Sequence, residues 1–169
     1  MKLYILRHGD AGEPGEAKVK DGERPLTPKG IQRTKQLAEK LRQMEISFDA
    51  ILSSPLVRAK ETAEIIAREL KFDGKVELTD SLTPSGNMEN LVRQLTMLRP
   101  SPKNVLLVGH EPYLSGFISL LCTGGPGMGL EMKKGGLCRL EVEAPICGKC
   151  AALEWLLPPR LAGLRPDKG

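Results

Sequence analysis

The chain has 169 residues, of which 40% are hydrophobic and 27% charged, and this is ordinary usage for a folded domain rather than a disordered chain. The net charge of +4 is small, and Lys and Arg are mixed with Asp and Glu instead of forming a basic stripe, which argues against nucleic-acid binding. The apolar run at 3–6 is too short for a signal peptide, and no run approaches the roughly 20 apolar residues that span a bilayer. We therefore expect a cytoplasmic protein without a membrane or nucleic-acid partner.

Strand-like and helix-like segments alternate along the chain. Short β-branched and apolar runs predict strands at 2–8, 48–54, 75–79, 103–110, 135–145 and 149–159. Apolar residues at helical spacing predict helices at 26–44, 56–70, 89–98 and 112–121. Thr27 is a suitable N-cap for the first helix, with Pro28 in its first turn.

This alternation favours an α/β fold: a doubly wound, mostly parallel sheet with helices on both faces and an antiparallel final pair of strands. The connections are too short to hold a cap domain. We predict a single domain at 1–157, followed by an irregular tail at 158–169, because the last residues are rich in Pro and Gly.

The four cysteines raise the question of a metal or redox site. Cys147 and Cys150 form a C-G-K-C pair, which would suit half a zinc site or a redox dithiol. Zinc needs four ligands, and Cys122 and Cys138 lie in apolar surroundings. The pair also falls in a turn between predicted strands rather than at a helix N-terminus, where a redox pair is expected. We therefore interpret the thiols as structural and expect no metal.

Four polar side chains fall at or just beyond the carboxyl ends of predicted strands: Arg7, His8, Arg58 and His110. In doubly wound folds, ligands bind outside these strand ends. Taken alone, each histidine could be a core or turn residue, and Arg58 a solvated helix residue. Together they predict a pocket in which arginine forks bind phosphate-like anions and a histidine serves as nucleophile, donor or base.

Three segments resemble the histidine phosphatase superfamily, and in particular its short SixA-type phosphohistidine phosphatases. They are L-R-H-G-D-A at 6–11, S-S-P-L-V-R-A-K-E-T at 53–62 and V-G-H-E-P at 108–112. The resemblance implies that His8 is the nucleophile and becomes phosphorylated on a ring nitrogen. It also implies that Arg7, Arg58 and His110, with Gly9, bind the phosphoryl group. No metal or organic cofactor is implied.

The group that protonates the leaving group is not evident from the sequence. Many members of this superfamily have an acid after the second helix, but the matching segment L-T-D-S-L-T-P-S-G-N at 78–87 has no glutamate there. Asp10 and Glu111 are candidate proton donors, although Asp10 also suits a turn and Glu111 a helix start. Because imidazole leaves more easily than an alkoxide, the missing acid favours a phosphohistidine substrate.

The most favoured function is therefore a phosphohistidine phosphatase acting on a histidine-phosphorylated phosphotransfer protein. The Gly- and acid-rich segment at 9–26 suggests a mobile rim around an open pocket, which suits a protein substrate. Two alternatives stay open. A small-molecule phosphomonoester or phosphoanhydride phosphatase is favoured if Asp10 or Glu111 is an effective acid. A non-catalytic phosphate-binding docking module would need no nucleophile.

Overall fold

A computed structural model describes residues 1–15, 19–144 and 146–160. Its strands are β1 (Lys2–Arg7), β2 (Ala50–Ser53), β3 (Val76–Leu78), β4 (Asn104–Gly109), β5 (Leu137–Val142) and β6 (Ala151–Leu157). Its helices are α1 (Pro28–Gln43), α2 (Val57–Glu69), α3 (Met88–Met97) and α4 (Tyr113–Thr123), and short 3-10 turns occur at Asp21–Glu23 and Asp80–Leu82. The predicted elements are thus present, with ends that differ by a few residues.

The six strands form one sheet in the order β3-β2-β4-β1-β5-β6 within the described residues. β1, β2, β3 and β4 are parallel, whereas β5 and β6 run antiparallel to their neighbours. The register aligns Arg7 with Gly109 and Ser53 with Val108, so three strands end at the same edge. The predicted doubly wound, mostly parallel sheet with an antiparallel edge is confirmed.

Alternate residues of the central strands face opposite layers of helices, as the pleat of a strand requires. Tyr4 and Leu6 of β1 belong to the core beneath α1 and α2, whereas Leu3 and Ile5 belong to the core beneath α3 and α4. All four are almost fully buried. Burial of each such side chain stabilises the fold by about 1.5–3 kcal/mol. The sheet that carries the strand ends is therefore a rigid platform, and helices cover both faces, as predicted.

The start of α1 is locked to the loop that follows β1. Thr27 caps the helix by accepting a hydrogen bond from the Gly30 N–H at 3.0 Å, and its own N–H donates to the carbonyl of Asp10 at 2.9 Å. A Cβ on Gly30 would lie 2.1 Å from that carbonyl oxygen, so only glycine allows this approach. The helix N-terminus thereby fixes the backbone beside His8.

Within the described residues, no separate cap domain covers the carboxyl edge of the sheet. None of the helices in this part of the chain has the length and hydropathy needed to cross a bilayer. The division into a domain at 1–157 and a tail at 158–169 stays a prediction: β6 ends at Leu157, and residues 161–169 of the tail lie outside the described residues.

Candidate active site

The backbone around His8 is held from two sides. Its N–H donates to the carbonyl of Gly109 at the end of β4, at 3.0 Å. The N–H of the next residue, Gly9, donates to the hydroxyl of Thr62 on α2, also at 3.0 Å. Thr62 in turn donates to the carbonyl of Arg58 at 2.7 Å. Gly9 was predicted to bind phosphate, and this stays a prediction; in this structure its N–H is engaged by Thr62.

The imidazole of His8 has a defined tautomer and a neutral ring. Its Nδ1 lies 2.7 Å from the carbonyl of Gly9, which can only accept, so Nδ1 carries the proton and Nε2 keeps its lone pair. The side chain is buried, and this burial lowers the pKa of His8 to about 4. The Gly9 hydrogen bond opposes the shift, whereas Arg58, Arg7 and Lys134 add to it. His8 is therefore a free base at neutral pH, as a nucleophile must be.

His110 lies beside His8, with ring centroids 5.0 Å apart. Its Nε2 is 2.9 Å from the hydroxyl of Ser54, and its buried Nδ1 has no hydrogen-bond partner among the described residues. Burial lowers the pKa of His110 to about 3, with smaller contributions from the neighbouring His8 in its protonated form and from the charge of Arg58. The ring is thus neutral and has a single N–H to offer to an acceptor.

Arg58, in the first turn of α2, points into the site and is only 4% exposed. Its Nε donates to Nε2 of His8 at 3.3 Å. Its other nitrogens donate to the carbonyl and the carboxylate of Asp21, at 2.7 and 3.1 Å. Arg24 pairs with the second carboxylate oxygen of Asp21 at 2.7 Å and donates to the carbonyl of Ala11 at 2.9 Å. The segment around Asp21 is therefore tied to the pocket more firmly than a mobile rim would be.

Sequence analysis did not identify Asp21 and Arg24 as site residues. The sequence contains one feature that could have indicated them: they are three residues apart in a loop rich in acidic and basic residues. This spacing lets opposite charges pair across one turn. Such spacing is common on protein surfaces. Nothing in the local pattern indicated that the pair would reach Arg58, 37 residues away from Asp21 in sequence.

Arg7 reaches the pocket from the end of β1. Its Nη1 donates to the carbonyl of Met132 at 2.7 Å, whereas its buried Nε has no partner among the described residues. An unsatisfied buried N–H is costly unless an acceptor arrives. The charge of Arg7 acts on both histidines, so Arg7 lies near them with one N–H that has no partner among the described residues.

The candidate proton donors are both engaged. Asp10 accepts from Lys134 at 3.3 Å and from Thr27 at 3.2 Å. Burial raises the pKa of Asp10, but the hydrogen bond and charge of Lys134, with the bond from Thr27, outweigh it and leave the pKa below its ordinary value. Glu111 accepts from the N–H of Met132 at 3.2 Å and lies 2.6 Å from the hydroxyl of Ser115. Asp10 is therefore ionised at neutral pH, and the Glu111 carboxylate is held by neighbours.

The remaining sequence predictions concern metals and thiols. Among the described residues, no group of three or more His, Cys, Asp or Glu is arranged to hold a metal ion. Cys147 and Cys150 are free and lie in the turn between β5 and β6, where the sulfur of Cys150 accepts from the N–H of Cys147 at 3.2 Å. This turn is beside Met1, at the end of the sheet opposite to the candidate active site. The thiols therefore take no part in the pocket.

The fold and this pair of histidines between two arginines define a phosphatase with a histidine nucleophile. Residues 3–97 match the family model of the histidine phosphatase superfamily (branch 1), so the chain belongs to this superfamily. It is of the SixA type. Phosphohistidine phosphatase SixA of Escherichia coli is 30% identical, over 73% of this chain and 76% of that protein.

Two further comparisons extend over almost the whole chain. An uncharacterized protein of Picosynechococcus is 35% identical, over 94% of this chain and 100% of that protein. A solved structure of the protein histidine phosphatase SixA complexed with tungstate superposes with a TM-score of 0.84, at 24% identity over 95% of this chain and 98% of that chain. The fold is thus shared along the full described length.

Proposed function

We propose that the protein removes the phosphoryl group from a phosphohistidine side chain of a phosphotransfer protein, through a phosphorylated His8 intermediate. The observation that carries this proposal is the state of the two carboxylates near the histidines. Asp10 is ionised and paired with Lys134, and Glu111 is held by the N–H of Met132. The pKa of Asp21, paired with Arg24 and Arg58, is lowered as well. Asp10 and Asp21 are thus not poised to give a proton and Glu111 is engaged with Met132, which favours a leaving group that departs without one.

In the first step, the hydrogen bond from Nε of Arg58 to Nε2 of His8 is released, and the freed lone pair on Nε2 attacks phosphorus. The bond between phosphorus and the substrate nitrogen breaks, and its electron pair returns to the substrate ring, which leaves as neutral imidazole because its other nitrogen already carries a proton. Arg7 and Arg58 bind the phosphoryl oxygens, and the single N–H of His110 donates to another. Such transfer depends mainly on positioning and charge stabilisation, which these side chains supply.

In the second step, water attacks the phosphorus of phospho-His8. The bond from phosphorus to Nε2 breaks, its electron pair returns to the ring, and the protons of the water pass to phosphate and solvent. The hydrogen bond from Nδ1 to Gly9 fixes the ring throughout, so that Nε2 faces the phosphorus in both steps.

The nature of the leaving group distinguishes the substrate classes. A phosphohistidine ring that is protonated on its other nitrogen leaves as neutral imidazole, a weak base whose conjugate acid has a pKa of about 6.5, so it needs no further proton. An alkoxide is far more basic, close to hydroxide, whose conjugate acid water has a pKa of about 15.7. Without a proton donor, alkyl phosphates should therefore react much more slowly than phosphohistidine. The lack of a cap domain over the described site also supports a side chain on a folded partner as the substrate.

The test is a comparison of substrates with graded leaving groups on the wild type and a His8→Ala variant. We expect turnover to fall from a histidine-phosphorylated protein to an aryl phosphate and further to an alkyl phosphate. The His8→Ala variant should lose turnover and the acid-labile phosphoenzyme while keeping its circular dichroism spectrum. Alkyl phosphates that react as fast as phosphohistidine would overturn the proposed substrate class and favour a small-molecule phosphatase. Wild-type turnover by the variant would overturn the nucleophile.

A further inference from the structure

The carboxylate of Glu111 is connected to Arg7 through one intervening residue. Its Oε1 accepts the backbone N–H of Met132 at 3.2 Å, and the carbonyl of the same Met132 accepts from Nη1 of Arg7 at 2.7 Å. Both backbone groups of Met132 are thus used. One connects it to the start of α4, and the other connects it to the pocket.

Met132 belongs to a connection that has little regular structure of its own. The segment between α4 and β5 contains several glycines with positive φ, among them Gly127 and Gly129, and these residues allow many backbone paths. At its end, the N–H of Gly135 is bound by the carbonyls of Arg7 and His8 at 3.1 and 3.0 Å. The Met132 side chain is fully buried. The position of its carbonyl, however, also depends on the peptide orientation that Glu111 holds.

We propose that Glu111 is a positioning residue, which orients the guanidinium of Arg7 through the backbone of Met132 and does not transfer a proton. This deepens the proposed function, on which it rests for the role of Arg7 as a phosphate ligand. The guanidinium has one nitrogen held by Met132 and a buried Nε that has no partner among the described residues. If the carbonyl moves, the direction of Nε moves with it, and the binding energy for a phosphoryl group falls.

Two conservative substitutions separate positioning from proton transfer. Glu111→Gln keeps the length of the side chain and its Oε1 acceptor, but has no acidic proton. Glu111→Asp keeps the acid, but is one methylene shorter and loses the reach to the Met132 N–H. A positioning residue therefore tolerates Gln better than Asp, whereas a proton donor tolerates Asp better than Gln.

The experiment measures vanadate binding by calorimetry and kcat and KM with an aryl phosphate, for the full chain and both variants. We expect Glu111→Asp to weaken vanadate binding roughly tenfold and to raise KM by a similar factor, because the donor beside the anion is misdirected. Glu111→Gln should stay within about twofold of the wild type. Glu89→Ala, at an exposed glutamate paired with Arg93 at the start of α3, is the matched control.

The ranking decides the proposal. If Glu111→Gln impairs vanadate binding and turnover more than Glu111→Asp does, Glu111 is a proton donor. If both variants behave like the wild type, Glu111 has no role in the site. Either result overturns the proposal. Vanadate binding does not depend on which phosphate ester is the natural substrate. A failure of the phosphohistidine proposal in the substrate comparison is therefore distinguishable from a failure here.

Discussion

The burial of both histidines predicts how the stability of the protein depends on pH. The pKa of His8 is lowered from 6.5 to about 4, and that of His110 to about 3, in both cases mainly by burial. As pH falls below 6.5, the unfolded chain binds protons on both rings, whereas the folded protein does not. The free energy of unfolding must therefore decrease on acidification. The decrease occurs between the pH that equals the histidine pKa in the unfolded chain and the pH that equals its pKa in the folded protein.

The magnitude follows from the sizes of the two shifts. Each histidine that is protonated only in the unfolded chain lowers the free energy of unfolding by about 1.4 kcal/mol per pH unit. Between pH 7.5 and pH 5 the two together cost about 4 kcal/mol, a large share of the stability of a typical domain. This window lies above the ordinary pKa range of carboxyl groups, about 3.9–4.3, so the histidines dominate the change. Above about pH 7.5 their contribution is fully present.

The chain contains only two histidines, which makes the measurement direct. An NMR titration of the folded protein shows two imidazole Cε1 signals, and a His8→Gln variant assigns both. We expect both signals to stay at their neutral positions down to about pH 5. Urea denaturation at several pH values then gives the slope, which should be halved in the variant because one titrating ring is gone.

The result that would refute the reasoning is a folded-state pKa near 6.5 for both rings. In that case, burial would not exclude the imidazolium form, and the free energy of unfolding would be the same at pH 7.5 and pH 5. His8 would then be half protonated near neutral pH, and its assignment as a ready nucleophile would lose its physical basis.

Two further substitutions test the pocket and its support. Arg58→Ala should weaken vanadate binding by about 2 kcal/mol, roughly thirtyfold, because a buried charged donor is lost. Arg68→Ala, at an exposed position on the same helix, should leave vanadate binding unchanged. If calorimetry gave equal vanadate affinities for the two variants, Arg58 would be excluded from the site. Gly30→Ala should lower the free energy of unfolding by about 1–3 kcal/mol, because its Cβ would collide with the carbonyl of Asp10. The control is Gly125→Ala, whose Cβ would meet nothing within 4 Å. Equal stability of the two variants in urea denaturation would contradict this prediction.

The central part of the site could be predicted because its residues directly follow segments that are recognisable in the sequence as buried strands. Arg7, His8 and His110 follow apolar runs that can only be buried strands, and parallel strands bring their carboxyl ends to one edge. Arg58 was harder to interpret, because an arginine in a helix is usually solvated. In the structure Thr62 lies one turn further on the same helix and is also buried, so the face of α2 that turns towards the pocket carries two polar residues four apart. This spacing was not used in the prediction from sequence.

The parts of the site that come from loops could not be predicted. Asp21, Arg24, Met132 and Lys134 reach the pocket through segments without hydrophobic periodicity, so the sequence does not indicate their path. Their contacts are also between residues far apart in the chain, such as Arg7 and Met132. Identification of these residues required the folded backbone, because loop geometry follows from turn conformations and long-range hydrogen bonds rather than from local pattern.

The charge balance of the pocket also bears on how the product leaves. If both histidines were protonated, a phosphate ion would meet four positive charges, and tight binding of the product would slow every turnover. Burial keeps both rings neutral, and the carboxylate of Asp21 offsets Arg58. The phosphoryl group is then held by two guanidiniums and by the N–H of a neutral ring, with one competing anion nearby. In the proposed mechanism, the same burial that keeps His8 nucleophilic therefore limits the affinity for the phosphate ion that must be released.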